Sequence, residues 1–134
     1  MIDKVGLLLI RDGKVLLCRK KRGTPLLILP GGKRETGESS LECLARELRE
    51  ELGDVRAVSP EFTGVYTHAA AGDVGKIVRI ELYRAELEGE ARAQSEIGEL
   101  VWFGAADDRA LLAPSLAELI FPDLIARGIL RIAS

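Results

Sequence analysis

Three glutamates fall within about one turn of a predicted helix and could together bind a metal ion. The apolar residues from Leu41 to Leu52 recur at helical spacing, which predicts this helix. At about 100° per residue, Glu47, Glu50 and Glu51 share one stripe beside the apolar face. Hard carboxylate oxygens suit Mg²⁺ or Mn²⁺, and such a cation would relieve the repulsion among like charges. A solvated charged face is the competing interpretation, and the helix pattern alone favours it.

A glycine-rich turn just before the helix could bring the main chain close to the same cation. The turn, Pro30-Gly31-Gly32, ends a short apolar segment, and paired glycines allow a close approach of the backbone. A carbonyl group of the turn could therefore join the carboxylates as a ligand. Ser39 and Ser40 supply N-caps for the helix, and Gly53 supplies its C-terminal stop.

Turn and helix together carry a recognisable motif. Eight residues reproduce the Nudix box, G-x5-E-x7-R-E-U-x-E-E-x-G-U with U a bulky apolar residue: Gly32, Glu38, Arg46, Glu47, Leu48, Glu50, Glu51 and Gly53. At background residue usage, eight such matches arise by chance on the order of once in 10⁹ windows. Only the last position departs from the motif, because Asp54 stands there. The chain therefore resembles the Nudix hydrolases.

The resemblance implies a role for each matching residue. It implies four metal ligands: Glu47, Glu50, Glu51 and the carbonyl of Gly31. Glu47 and Glu50 then belong to the catalytic centre together with Arg46, which would orient a glutamate of the box. Glu38 would brace the loop-helix-loop, with Gly53 ending it. In this family, Mg²⁺ ions, with Mn²⁺ as an alternative, bind a diphosphate and activate water.

A further glutamate downstream is a candidate for the same site. Glu96 precedes the predicted strand Leu100–Phe103, and many relatives carry a glutamate near there that binds metal or acts as a base. Glu99 is a competitor for this role. A surface carboxylate without a function is the other interpretation of Glu96.

Contacts to substrate are harder to assign from sequence. In the basic cluster after the second strand, Lys20 and Arg22 could grip phosphates, but Arg19 is the preferred contact; exposed strand ends are also often basic. Gly32 would approach the substrate through its backbone, and Trp102 could stack on a base or simply fill the core. Two remaining reactive side chains are interpreted without a role in substrate binding: His68 as incidental and Cys43 as packing.

The remaining chain predicts a mixed, largely antiparallel sheet between helices, an α/β/α sandwich of the Nudix type. Short apolar or alternating runs predict six strands: Val5–Ile10, Val15–Cys18, Leu26–Leu29, Phe62–Thr67, Lys76–Glu86 and Leu100–Phe103. Asp12-Gly13 predicts a hairpin between the first two. Two further helices are expected at Ser115–Ile120 and Leu124–Ile129, separated by Phe121-Pro122-Asp123.

Composition bounds the class of protein. The 134 residues suit one domain, residues 1–134, and the net charge of −2 gives no general attraction to long nucleic acids. No apolar run could span a bilayer, and the N-terminal residues lack the pattern of a signal peptide. Two cysteines without a Cys-x-x-Cys motif fit a reduced protein. We therefore expect a cytoplasmic protein without a membrane partner, and a homodimer is compatible with the sequence.

The expected function is Mg²⁺-dependent hydrolysis of a diphosphate bond in a small nucleotide. The substrate would be a nucleoside triphosphate, giving a monophosphate and pyrophosphate, or another nucleoside diphosphate-linked compound. The alternatives are a non-catalytic nucleotide sensor with the same fold and a sugar-nucleotide pyrophosphatase of the ADP-ribose type. Relatives of the latter type often carry a proline some way after the box. Ala69-Ala70-Ala71 occupies that region here, which mildly disfavours ADP-ribose.

Overall fold

The computed structural model describes residues 1–69 and 75–131. Its strands are β1 (Ile2–Leu8), β2 (Ile10–Arg11), β3 (Lys14–Lys20), β4 (Gly31–Lys33), β5 (Arg56–Ala69), β6 (Ile77–Glu88) and β7 (Ile97–Phe103). Its helices are α1 (Ser40–Leu52) and α2 (Phe121–Ala126). A 3₁₀ turn (Arg109–Leu111) follows β7, and a π-helical turn (Leu116–Ile120) runs directly into α2.

The strands form two sheets rather than the single sheet expected. One sheet has the order β4-β1-β6-β5 and the other β2-β3-β7. β1 pairs with β6 in parallel, and the remaining pairs among these strands are antiparallel. The sheets meet at Leu9, between β1 and β2, whose carbonyl accepts a hydrogen bond from the Leu16 amide at 3.0 Å. The predicted Asp12-Gly13 hairpin is confirmed, because these two residues connect β2 to β3.

Helices cover both faces of the sheets. Leu7 and Leu16 belong to a buried cluster with Leu44 and Leu48 of α1. Their chain neighbours point the other way and pack with the C-terminal helical segment (residues 116–126). Alternation along β1 and β3 thus supplies a core to each face, and each fully buried leucine contributes roughly 1.5–3 kcal/mol. The predicted α/β/α sandwich is confirmed, and the larger of its two sheets is mixed.

The chain before the helix differs from the prediction. Leu26–Leu29 is not a strand, because only isolated bridges pair Leu27 with Leu112 and Ile28 with Cys18. The expected glycine loop instead contains β4, which pairs with β1. Gly31 makes this pairing possible: with φ at +135°, a Cβ there would lie 2.1 Å from the Val5 carbonyl oxygen. The glycines therefore bring two backbones together, which a turn prediction did not anticipate.

The two predicted C-terminal helices form one continuous segment. Phe121-Pro122-Asp123 lies within α2 rather than between helices. Pro122 stands in the first turn of α2, directly after the π-helical turn. Phe121 is buried against Phe103. β5 extends beyond the predicted limits at both ends, and β6 extends beyond its predicted C-terminal limit. Among the described residues, no helix is both long and apolar enough to cross a membrane.

Candidate active site

A cleft of about 730 Å³ opens between α1, β4 and the face of the larger sheet. Four glutamates line it: Glu47, Glu50, Glu51 and Glu96. Among the sheet residues that line it are Ile2, Lys4 and Gly6 of β1 and Val78 and Ile80 of β6. These residues share one face because side chains two apart along a strand point the same way. The cleft therefore joins an acidic wall to a floor that is partly basic and partly apolar.

Glu51 is the most enclosed of the acidic residues. It is 9% exposed, and its carboxylate accepts a hydrogen bond from the Gly31 amide at 2.8 Å. Burial raises the pKa of Glu51 to about 7; the Gly31 amide opposes the shift, and the charge of Glu47 adds to it. A carboxylate withdrawn from water in this way gains strongly from a neighbouring cation.

Glu47 lies directly against the backbone of β4. A Cβ added to Gly32 would meet the Glu47 carboxyl carbon at 2.4 Å. With any other residue at this position the Glu47 carboxylate would have to move, since real Cβ atoms essentially never come that close. Burial raises the pKa of Glu47, while hydrogen bonding to Arg46 lowers it. The glycine of the motif thus has a direct structural reason, which is the approach of a carboxylate to the strand.

Arg46 holds the acidic residues together. Its Nε and Nη2 atoms donate to Glu38 at 2.6 and 2.9 Å, a forked arrangement, and Nη2 also donates to the Lys33 carbonyl at 2.9 Å. Its Nη1 atom lies 3.0 Å from Glu47 and 3.2 Å from Glu50. The Arg46 hydrogen bonds hold the pKa of Glu38 at about 2. Arg46 therefore contacts three glutamates of the motif, Glu38, Glu47 and Glu50.

The donor set fits a divalent cation. Hard carboxylate oxygens are the ligands that Mg²⁺ and Mn²⁺ prefer. The cradle at Gly32 and the enclosed Glu51 carboxylate provide such oxygens where α1 meets β4. In residues 1–69 and 75–131, no three acidic, histidine or cysteine side chains already surround one point. Arg46 occupies oxygens of Glu47 and Glu50, so a cation would compete with its guanidinium.

Three lysines, Lys4, Lys20 and Lys33, bring positive charge to the cleft. Lys4 and Lys20 line it, and burial lowers the pKa of Lys4, with Lys20 and Lys33 adding to the shift. Arg19, the preferred phosphate contact from sequence, is not among the residues lining the cleft. It donates to the Pro25 carbonyl at 2.8 Å and forms an ion pair with Glu99. Sequence reasoning missed Lys4, whose place in the cleft depends on strand pairing.

Of the two glutamates that compete for a role in the site, Glu96 lies at the cleft and Glu99 does not; Trp102 also lies elsewhere. Glu96 lines the cleft with its carboxylate 3.9 Å from Lys20, whereas Glu99 faces Arg19. Trp102 is not among the cleft residues, and its ring centre lies 5.6 Å from the Arg11 guanidinium. The structure therefore does not bring Trp102 to the position expected for a base-stacking residue.

His68 lies at the far end of the cleft from the glutamates of α1. It pairs with Val78 across β5 and β6, and Val78 pairs with Ile2, so the three form one row of the cleft floor. Its Nε2 atom is 2.8 Å from Glu118, and its Nδ1 atom is 2.8 Å from the Ala69 carbonyl oxygen. The Ala69 carbonyl and then Glu118 raise the pKa of His68.

The last two residues singled out from sequence have structural positions. Cys43 is fully buried in the cluster beneath α1, which confirms its interpretation as packing. Gly53 ends α1, with its amide donating to the Arg49 carbonyl. Gly53 has a φ of +90°, a backbone conformation that side-chain-bearing residues rarely adopt, so glycine is favoured at this position.

Comparison with known proteins gives one consistent family. The family model described as NUDIX domain matches residues 2–121. The CTP pyrophosphohydrolase of Escherichia coli strain K12 is 34% identical over 137 residues, covering 99% of this chain and 96% of that protein. An uncharacterized Nudix hydrolase of Bacillus subtilis strain 168 is 33% identical over 121 residues, covering 87% and 74%.

A solved structure agrees in fold. The solution structure of the E. coli ORF135 protein superposes with a TM-score of 0.75 at 31% identity, covering 95% of this chain and 92% of that one. β4 and α1, which contain most residues of the motif, thus occur in a chain that matches the family along nearly its whole described length. This protein belongs to the Nudix family, and it is an enzyme that acts on diphosphate bonds.

Proposed function

We propose that this enzyme uses Mg²⁺, with Mn²⁺ as an alternative, to hydrolyse a diphosphate bond in a nucleoside triphosphate or another nucleoside diphosphate-linked compound. One observation carries the proposal: the glutamates of α1 open into the same cleft as Lys4 and Lys20. Carboxylates bind the cation and lysines bind phosphate oxygens, so the cleft has both halves of a site for a metal-bound diphosphate. From a triphosphate, the products would be a monophosphate and pyrophosphate.

Each residue then has a proposed task. The cation would be held by the carboxylates of Glu47, Glu50 and Glu51 together with the Gly31 carbonyl. Arg46 would orient Glu47 and Glu50 through its hydrogen bonds. The cation, when bound, supplies polarisation of a phosphoryl oxygen and a lowered pKa of bound water. Glu96 extends into the cleft and would take the proton of the attacking water or bind metal.

The apolar part of the cleft would accommodate the nucleoside. Ile2, Val78 and Ile80 form its floor, Leu116 lies on its wall, and His68 closes the row. We therefore place the base there instead of beside Trp102. The similarity to a CTP pyrophosphohydrolase makes CTP the first substrate to test.

Two alternatives remain as hypotheses. A non-catalytic sensor would have no need for the acidic residues at the cleft. An ADP-ribose-type activity was disfavoured by Ala69-Ala70-Ala71, of which Ala70 and Ala71 lie outside the described residues. The single domain over residues 1–134, the homodimer and the cytoplasmic location also stay predictions. Free, buried Cys18 and Cys43 support a reducing compartment.

Product analysis in ¹⁸O-water tests the proposal. Nucleoside triphosphates, CTP first, are incubated with Mg²⁺ or with excess EDTA, and products are identified by mass spectrometry. We expect a nucleoside monophosphate and pyrophosphate, with label in one of them and no turnover in EDTA. Label in orthophosphate with a nucleoside diphosphate as the other product would reject the cleavage site. Full turnover in EDTA would reject the metal, and binding without turnover would favour the sensor.

A further inference from the structure

A second cluster of charges lies outside the cleft and around Glu81 of β6. The Glu81 side chain is 13% exposed, and its carboxylate accepts four hydrogen bonds. Ser40 donates at 2.5 Å, Tyr83 at 2.6 Å, Arg34 at 3.0 Å and Arg79 at 3.2 Å. A carboxylate with so many donors is fixed in orientation, and it holds those donors in place in return.

Two of these donors stand at the ends of one segment. Arg34 follows β4 directly, and Ser40 is the first residue of α1. Residues 34–40 therefore connect β4 to α1, and Glu81 accepts hydrogen bonds from both ends of this connection. Asp3 strengthens the same arrangement, because it accepts hydrogen bonds from Arg34 at 3.2 Å and Arg79 at 3.1 Å. The Nη2 atom of Arg34 also donates a hydrogen bond to the Ser40 hydroxyl at 2.9 Å.

Arg46 holds the same connection from the side of the cleft. It donates to the Lys33 carbonyl and to Glu38. The position of α1 relative to β4 is thus fixed by Arg46 on one side and by Glu81 on the other. The Glu47 carboxylate fills the space where a Cβ of Gly32 would stand, so its placement depends on how α1 lies against β4.

We propose that Glu81 is a positioning residue for the metal-binding carboxylates. By holding Arg34 and Ser40, it sets the first turn of α1 against β4 and so places Glu47 and Glu51 at Gly32 and Gly31. It touches neither cation nor substrate. The inference rests on the proposed function, because it assumes that these carboxylates bind a divalent cation.

The test measures Mn²⁺ binding to the full chain without substrate. Free Mn²⁺ is counted by electron paramagnetic resonance at 25 °C for the wild type, Glu81→Gln and Glu86→Gln. The amide nearly preserves shape but presents an N–H₂ group to the donors around it. Glu86 is the matched control, because it lies on the same strand with an exposed ion pair to Arg11. Outer partners of metal ligands typically change affinity by about 10–100-fold, so we expect Kd to rise about tenfold for Glu81→Gln and to stay unchanged for Glu86→Gln.

Ser40→Ala provides a second variant that removes a single donor. Its Kd should rise by a smaller factor in the same direction, even if Glu81→Gln fails to fold. A wild-type Kd in folded Glu81→Gln, or in Ser40→Ala where Glu81→Gln does not fold, would overturn the positioning role whatever happened to the melting temperatures. A purely structural residue alters stability and not affinity in the folded state. Absence of Mn²⁺ binding in the wild type would instead overturn the metal site itself, and the positioning role with it.

Discussion

The two helical segments on opposite faces of the sheets are built by different means. α1 has a capping box, in which the Ser39 hydroxyl accepts from the Glu42 amide at 3.1 Å and the Glu42 carboxylate accepts from the Ser39 amide at 2.9 Å. The segment of residues 116–126 begins in a π-helical turn without a side-chain cap at Ser115. Its order comes from burial of its apolar side chains.

The two segments also differ in the side chains that they place in the site or in the core. α1 carries acidic residues that crowd around Arg46 and face the cleft. The C-terminal segment buries Leu116, Ile120, Phe121 and Leu124, each at most 1% exposed. The helical structure of α1 is therefore determined by local capping, and part of its surface carries closely spaced acidic residues. The structure of the C-terminal segment is determined by packing in the core. Local sequence signals and the metal-binding residues therefore coincide in α1, whereas burial in the core dominates in the C-terminal segment.

The largest expected effect separates the acidic face of α1 from other surface carboxylates. Glu50→Gln should lower kcat by roughly 10³-fold, because loss of a charged metal ligand removes several kcal/mol of transition-state stabilisation. Glu88→Gln is the control, since Glu88 is exposed and paired with Arg56. Both rates are measured with CTP at saturating Mg²⁺. An unchanged rate for Glu50→Gln would show that Glu50 lies outside the site.

Core truncation in both helices should separate stability from function. Leu48 and Leu124 are each fully buried, one on each face. Leu48→Ala and Leu124→Ala should each lower the free energy of unfolding by about 2–5 kcal/mol. Only Leu48→Ala should also lower kcat, because its cavity lies beside Glu47. Denaturant unfolding and rates at a temperature where both variants are folded test this. Equal losses of kcat would remove the functional distinction between the helices.

Helix starts should show a smaller difference. Ser39→Ala removes the capping box and should cost about 1 kcal/mol of unfolding free energy. Ser115→Ala should stay within about 0.5 kcal/mol, since Ser115 makes no capping hydrogen bond. Urea denaturation of both variants makes the comparison. A larger loss in Ser115→Ala than in Ser39→Ala would contradict the account of how the two segments are specified.

The smallest effect concerns pH and the C-terminal segment. The Tyr66 hydroxyl donates to Asp123 at 2.5 Å and lowers the pKa of Asp123; partial burial opposes the shift, and Arg127 adds to it. Because the folded pKa lies below the unfolded value of about 3.9, this contribution is present above that pH and is lost as pH falls through the folded pKa.

Tyr66→Phe should therefore lose more unfolding free energy at about pH 6 than at about pH 3. Denaturant titrations of wild type and variant at both pH values provide the two differences. The pH-independent loss from the missing hydroxyl cancels between them. An equal loss at both pH values would show that Asp123 contributes no pH-dependent stability through this hydrogen bond.

Sequence predicted α1 well because its signals are local. Ser39, Gly53 and the regularly spaced apolar residues lie within the helix or at its ends. The motif residues also identify the family. The C-terminal break was wrong because Pro122 fits the first turn of α2 once Phe121 is buried by distant residues. Propensity at Phe121-Pro122-Asp123 cannot report that burial.

The cleft shows the same division. Glu47, Glu50 and Glu51 could be grouped from spacing along one helix. Lys4 could not be assigned from spacing, because its proximity to Glu51 depends on strand pairing across the whole chain. Arg19 and Lys20 are neighbours in sequence but project differently from β3, so the basic cluster did not reveal which side chain enters the cleft. Strand register, which sequence alone did not provide, decides these contacts.

The most direct measurement of the central claim is the hydrolysis rate of Gly32→Ala against Gly98→Ala. The claim is that close approach of α1 to β4 creates the catalytic site. A Cβ at Gly32 would displace the Glu47 carboxylate, whereas one at Gly98 meets ordinary contacts at 3.4 Å and beyond. We expect Gly32→Ala to lose about 10–100-fold in kcat/KM and Gly98→Ala to match the wild type. Wild-type activity in folded Gly32→Ala would contradict the account.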